Sequence, residues 1–119
     1  MRSDQLKRLC LGRPGAVEEF PFTPDVSVFK VGGRMFALSD LGASPLKVSL
    51  KCDPELAASL RATYAEITAG YHLNKRHWNT IDLEGSLPSE LIKQMLEDSY
   101  DLVVAKLPRA KREDLALSE

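Results

Sequence analysis

Hydrophobic positions in this chain recur with two periods, and the switches between them divide it into elements. Leu6, Leu9 and Cys10 fall on one face of a helix over residues 3–12, which Ser3 or Asp4 can cap and Gly12 stops. Arg13-Pro14-Gly15 is a turn. Residues 16–22 read as a first strand, which Glu18-Glu19, Pro21 and Pro24 confine to a sheet edge or end. Two β-branched or aromatic runs follow, residues 26–31 and 34–38, separated by Gly32-Gly33. That pair supplies the positive φ angles of a two-residue hairpin turn. With this loop Val31 faces Arg34, Lys30 faces Met35 and Phe29 faces Phe36.

Leu46 to Lys51 alternates cleanly, with Leu46, Val48 and Leu50 inward and Lys47, Ser49 and Lys51 outward. One-sided alternation predicts an antiparallel sheet with helices on a single face. Asp53-Pro54-Glu55 starts a helix that runs to Thr63 with Leu56 and Leu60 inward. Strands are predicted near 70–74 and 78–83. A final helix starts near Pro88 and runs to about Lys106, its apolar arc formed by Leu91, Ile92, Met95, Leu96, Leu102, Val103 and Leu107. Ser99 sits at the centre of that arc, where it implies close approach of helix and sheet, with its hydroxyl bonded to the carbonyl four residues back. Residues 109–119 are polar and small and read as a frayed tail. The predicted fold class is α+β. It is a two-layer α/β sandwich in one domain over residues 1–119, with five or six antiparallel strands and helices on one face, in the order helix, three or four strands, helix, two strands, helix.

Composition adds exclusions. The chain has 119 residues, 44% hydrophobic and 28% charged, enough to bury a core without staples. The apolar runs are too short to span a bilayer and the N-terminus lacks the apolar core of a signal peptide, so a cytoplasmic monomer without membrane contact is expected. Cys10 and Cys52 are not spaced as a metal or redox pair and read as reduced structural thiols. Net charge is −1, but its distribution is uneven: residues 30–80 carry +3 and residues 81–101 carry −5.

Candidate chemistry centres on GYHLNKRHWNTIDLEG, residues 70–85, which holds both histidines and the one tryptophan. His72 and His77 lack the further ligands a metal site needs, and no metal or cofactor is expected. Asp82 and Glu84 share a strand face, as a carboxylate pair or as a solvated strand end. There is no phosphate loop and no Ser-His-Asp or Cys-His constellation, so no catalytic residue is assigned. Lys75-Arg76-His77-Trp78 combines cations with an aromatic ring, which suits phosphate contact plus stacking. The plainer reading packs Trp78 into the core or under the last helix. Alternation fails at this corner, so either the loop exceeds two residues or the strand has a bulge.

The segments PGAVEEFPFTPDVSVFKVGGRMFAL, HLNKRHWNTIDLEG and SYDLVVAKLP, with Lys75–Trp78 and Ser99-Tyr100 as the sharpest signatures, resemble the MmcQ/YjbR family. That resemblance implies a compact fold related to frataxin-like (CyaY-like) and secretion-chaperone-like sandwiches. It also implies a non-enzymatic, double-wing DNA-binding protein, a label that rests on shape. On that reading Lys30, Arg34, Lys47, Lys51, Lys75 and Arg76 would contact phosphates, with His77 and Trp78 beside them, in weak, salt-sensitive binding. The alternatives are a protein-interaction or chaperone-like module, and a small-molecule binder whose pocket is lined by His72, His77, Trp78 and Tyr100.

Overall fold

The computed structural model describes residues 1–70 and 72–118. The chain runs α1 (Ser3–Leu11), β1 (Val17–Glu19), β2 (Ser27–Val31), β3 (Arg34–Ser39), β4 (Lys47–Lys51), α2 (Pro54–Thr63), β5 (Ile67–Ala69), β6 (Trp78–Asp82), α3 (Ser89–Ala105) and α4 (Arg109–Ser118). The six strands form one sheet in the order β1-β2-β3-β4-β6-β5, and neighbouring strands are antiparallel. This is the α+β sandwich that the alternation predicts.

Side-chain period fixes the two faces. Register places Val48 opposite Ile81 and Leu50 opposite Asn79, and these point at the helices. Leu6 and Cys10 of α1 and Ile92, Met95, Leu96, Tyr100 and Val103 of α3 close over them in one apolar cluster. Each fully buried aliphatic or aromatic side chain there contributes roughly 2 kcal/mol. Trp78, Thr80 and Asp82 alternate with that set and take the other face, opposite Lys51, Ser49 and Lys47.

The structure corrects several local readings. Gly32 and Gly33 do form the hairpin turn, with φ of 58° and 82°. The pairs Val31–Arg34 and Lys30–Met35 hold, but Phe29 pairs with Ala37, because a bulge gives β3 one extra residue. The bulge lets Phe36 turn into the core, where its ring meets Tyr100 edge-on at 5.3 Å. In α2 Leu60 packs against the core as expected, but Leu56 is 46% exposed and Ala57 is fully buried in its stead; the small side chain lets the helix settle against β5 and β6. Asp53 caps α2 as expected, accepting the Glu55 and Leu56 N–H groups. In α1 neither Ser3 nor Asp4 is the cap. Arg2 holds that position and donates its N–H to Gln5 Oε1.

The strand expected at 70–74 is displaced: β5 ends at Ala69 and its partner begins at Trp78, so a long loop replaces a tight hairpin. Tyr71, within that expected strand, lies outside the described residues, as does Glu119. Residues 109–118, expected as a frayed tail, form α4. This helix is docked: Leu115 packs against the core, and Lys111 Nζ donates to the Gly32 carbonyl at 3.0 Å.

Candidate nucleic-acid interface

Antiparallel pairing brings distant residues to one end of the sheet. The Gly32-Gly33 turn tops β2 and β3, Lys51 ends β4 opposite Trp78, and the loop 70–77 enters β6 there. The last turn of α3 reaches the same end, since a Cβ on Gly32 would lie 2.7 Å from the Leu107 side chain. The turns of both hairpins therefore lie at one end of the sheet, with α4 beside the first.

The loop is built by its own hydrogen bonds. Asn74 Oδ1 accepts the Arg76 N–H at 2.9 Å, and the Asn74 carbonyl accepts from His77 and Trp78, which makes one tight turn. Lys75 Nζ reaches back to the Gly70 carbonyl at 3.4 Å. Arg61 of α2 donates to the Lys75 carbonyl at 3.3 Å and to Asn79 Oδ1 at 2.7 Å, while Asn79 Nδ2 donates to the Ala57 carbonyl at 3.3 Å. This network leaves the Lys75 and Arg76 side chains exposed. His72 takes a left-handed φ of 58°, a conformation more open to His than to most side chains.

The predicted phosphate contacts divide. Arg34, Lys51, Lys75 and Arg76 share the loop end. Lys30 is engaged, its ammonium 3.0 Å from Glu19. Lys47 stands at the opposite end, across from Asp82, and does not join the others. Trp78 is only 7% exposed; it lies outside the main core cluster, its Cβ and carbonyl pressed against Gly70. The burial that the plainer reading expects therefore holds, but on the sheet face turned away from the helices, where Trp78 braces the loop. His77 is half-buried, its carbonyl accepting the Cys52 N–H at 2.8 Å.

Tyr100 is buried, its hydroxyl donating to the Pro14 carbonyl at 2.5 Å, with the Arg13 guanidinium over its ring. Ser99 bonds two strands rather than its own helix, donating to the Phe36 carbonyl and accepting the Lys51 N–H. Asp82 and Glu84 brace the strand end: Asp82 accepts the Glu84 N–H, and Glu84 accepts the Leu46 N–H. A cleft of about 280 Å³ lies elsewhere, lined by Met1, Gln5, Arg8, Leu9, Ser89 and Lys93, and a smaller one lies beneath Leu56 and Met95. Neither is lined by His72, His77, Trp78 or Tyr100.

Burial pushes the Cys10 thiol up to about 12, and burial with Asp53 and Asp98 nearby raises that of Cys52. Among the described residues no three His, Cys, Asp or Glu side chains gather as a metal site. No helix there is long and apolar enough to cross a membrane.

Sequence reasoning missed three cations at this end: Arg61, Lys106 and Lys111. Lys106 and Lys111 belong to the junction of α3 with α4, where a helix was not expected. The signal for it was present, since Pro108 sits one residue before α4 as a helix-start residue, with Leu107 before the helix and Leu115 within it as apolar anchors.

Comparison with known proteins places the chain. A YjbR family model matches residues 11–102. The uncharacterized protein YjbR of Escherichia coli K12 is 36% identical over 112 residues, covering 94% of this chain and 95% of the relative. The uncharacterized protein YbdF of Escherichia coli O157:H7 is 38% identical over 108 residues, covering 90% of this chain and 86% of the relative. The crystal structure of Deinococcus radiodurans protein DR2400, with a DUF419 domain, superposes with a TM-score of 0.90 at 43% identity, covering 97% of this chain and 88% of that one. A Pseudomonas syringae protein superposes with a TM-score of 0.75 at 29% identity, covering 87% of this chain and 99% of that one. The resemblance carried by Lys75–Trp78 and Ser99-Tyr100 thus extends along the whole fold, and the chain belongs to the YjbR family.

Proposed function

We propose that this protein is a non-enzymatic, cytoplasmic nucleic-acid-binding module that works as a monomer. It engages phosphates with the loop end of its sheet. The observation that carries this reading is the convergence of Arg34, Lys51, Lys75 and Arg76 at one end of the sheet, from two strands and a loop that are far apart in sequence. Separated clusters of cations at hairpin tips suit backbone contact rather than base readout, so affinity is modest and salt-sensitive. Trp78 supports the loop from below and does not itself stack on a base. Fluorescence anisotropy with labelled duplex and single-stranded DNA tests this. Lys75→Ala/Arg76→Ala weakens binding, while Lys47→Ala leaves it unchanged; equal effects of the two variants count against the reading.

A protein-interaction role has one specific support. At the β1 edge Val17, Phe20 and Phe22 are 48%, 52% and 63% exposed. If sedimentation shows a complex with a protein partner that Phe20→Ser/Phe22→Ser abolishes, and no DNA binding is measured, this second reading replaces the first.

A further inference from the structure

Three cations stand at the loop end from three separate elements. Arg34 is the first residue of β3, Lys51 the last of β4, and Lys106 the residue that ends α3. Continuing the register of Ala37–Leu50 and Leu38–Ser49 puts Lys51 opposite Phe36, two residues from Arg34. Ser99 Oγ pins that position by bonding both backbones. Leu107, seated over Gly32, fixes the end of α3 beside the first hairpin.

Seven ion pairs are made among the described residues, and none involves Arg34, Lys51 or Lys106. Elsewhere on this surface cations are matched: Lys30 with Glu19, Arg13 with Glu97, Lys7 with Glu18. Asp53 and Asp98 act on Cys52, the residue after Lys51, but Asp53 is spent capping α2 and Asp98 accepts from Gln94 Nε2. Partial burial, then Lys106 and Arg34, hold the Lys51 ammonium below its ordinary range. Like charges held together without a counter-charge raise each other's energy, and an anion seated among them removes that cost.

We infer that Arg34, Lys51 and Lys106 form an anion site for a phosphate group. Resting on the nucleic-acid reading above, that phosphate is a backbone phosphodiester. The site extends that reading to a residue outside both hairpins, and it makes the end of α3 part of the contact surface. Arg34 supplies a planar fork that can take two phosphate oxygens, and the two ammonium groups act as point charges.

Side-chain NMR of lysine Cε and Nζ resonances tests the site with two probes, pyrophosphate and an oligothymidylate. The site predicts saturable shifts at Lys51 and Lys106 with both probes and an upward move of the Lys51 titration, with Lys47 unmoved. It also predicts that Arg34→Ala/Lys106→Ala weakens oligonucleotide binding about tenfold. Oligonucleotide shifts at Lys75 that leave Lys51 and Lys106 untouched overturn the site while the nucleic-acid reading stands. Pyrophosphate shifts at Lys51 and Lys106 without oligonucleotide binding overturn the phosphodiester assignment and the nucleic-acid reading, and leave an anion site for a small phosphate compound. No shift with either probe overturns both.

Discussion

The Ser99 hydroxyl accepts the backbone N–H of Lys51 at 2.8 Å and donates to the Phe36 carbonyl at 2.6 Å. It occupies the place of a direct ladder bond between β3 and β4. The two strands part where the bulge turns Phe36 inward, and a helix side chain satisfies both opened groups. Ser99→Ala leaves a buried donor and acceptor without that partner. We expect a loss of about 2–3 kcal/mol in urea unfolding. A loss under about 0.5 kcal/mol contradicts the bridging role.

Tyr100 ties the other side of α3 to the start of the sheet through the Pro14 carbonyl. Tyr100→Phe keeps the edge-on contact with Phe36 and removes only the hydroxyl. The expected cost is about 1–2 kcal/mol, read as a lowered urea midpoint with an unchanged slope. A changed slope points to a wider rearrangement.

Gly70 is needed for space. A Cβ there would sit 2.7 Å from Trp78 Cβ and 3.0 Å from the Trp78 carbonyl. Gly70→Ala pushes the loop off the indole, with an expected cost of about 1–3 kcal/mol. Because Trp78 is the one tryptophan, its emission reports the change directly and shifts to the red. Unchanged emission means that the loop does not press on Trp78.

Cys10 makes stability fall at alkaline pH. Burial, with Glu18 adding to it, pushes its thiol up to about 12, whereas the unfolded chain ionises near the ordinary value of about 8.5. The folded state therefore holds the proton more tightly. That contribution is complete below the unfolded value and is lost as pH rises toward the folded one. The stability difference between wild type and Cys10→Ala narrows by about 1–2 kcal/mol from pH 7.5 to 10. A constant difference contradicts a buried, neutral thiol.

What the sequence discloses depends on how far each signal is local. Alternation over Leu46–Lys51, the Gly32-Gly33 turn and the Asp53-Pro54 cap are carried by neighbouring residues, and all three hold. The Phe29–Phe36 pairing fails because the bulge answers to the packing of Phe36 on Tyr100, a contact from a distant helix. Leu56 is misplaced because α2 turns to set Ala57 and Asn79 together, and no period records that choice. α4 escapes notice because its polar run has few apolar anchors and gains its stability from Leu115 and Lys111 docking on elements far upstream. Half of the candidate site is readable for the same reason. Lys75 and Arg76 sit in a visible loop, whereas the separation of Lys47 and the arrival of Lys106 follow from register and from where α3 ends.

The most direct measurement is the salt dependence of DNA affinity for wild type and for Arg34→Ala/Lys75→Ala/Arg76→Ala. If about four phosphates are contacted by the loop end, the logarithm of the association constant falls against the logarithm of salt concentration with a slope of about −3 to −4. The triple variant flattens that slope to about −1. DNA affinity that ignores salt, or a slope that survives the triple substitution, contradicts nucleic-acid binding through this end of the sheet.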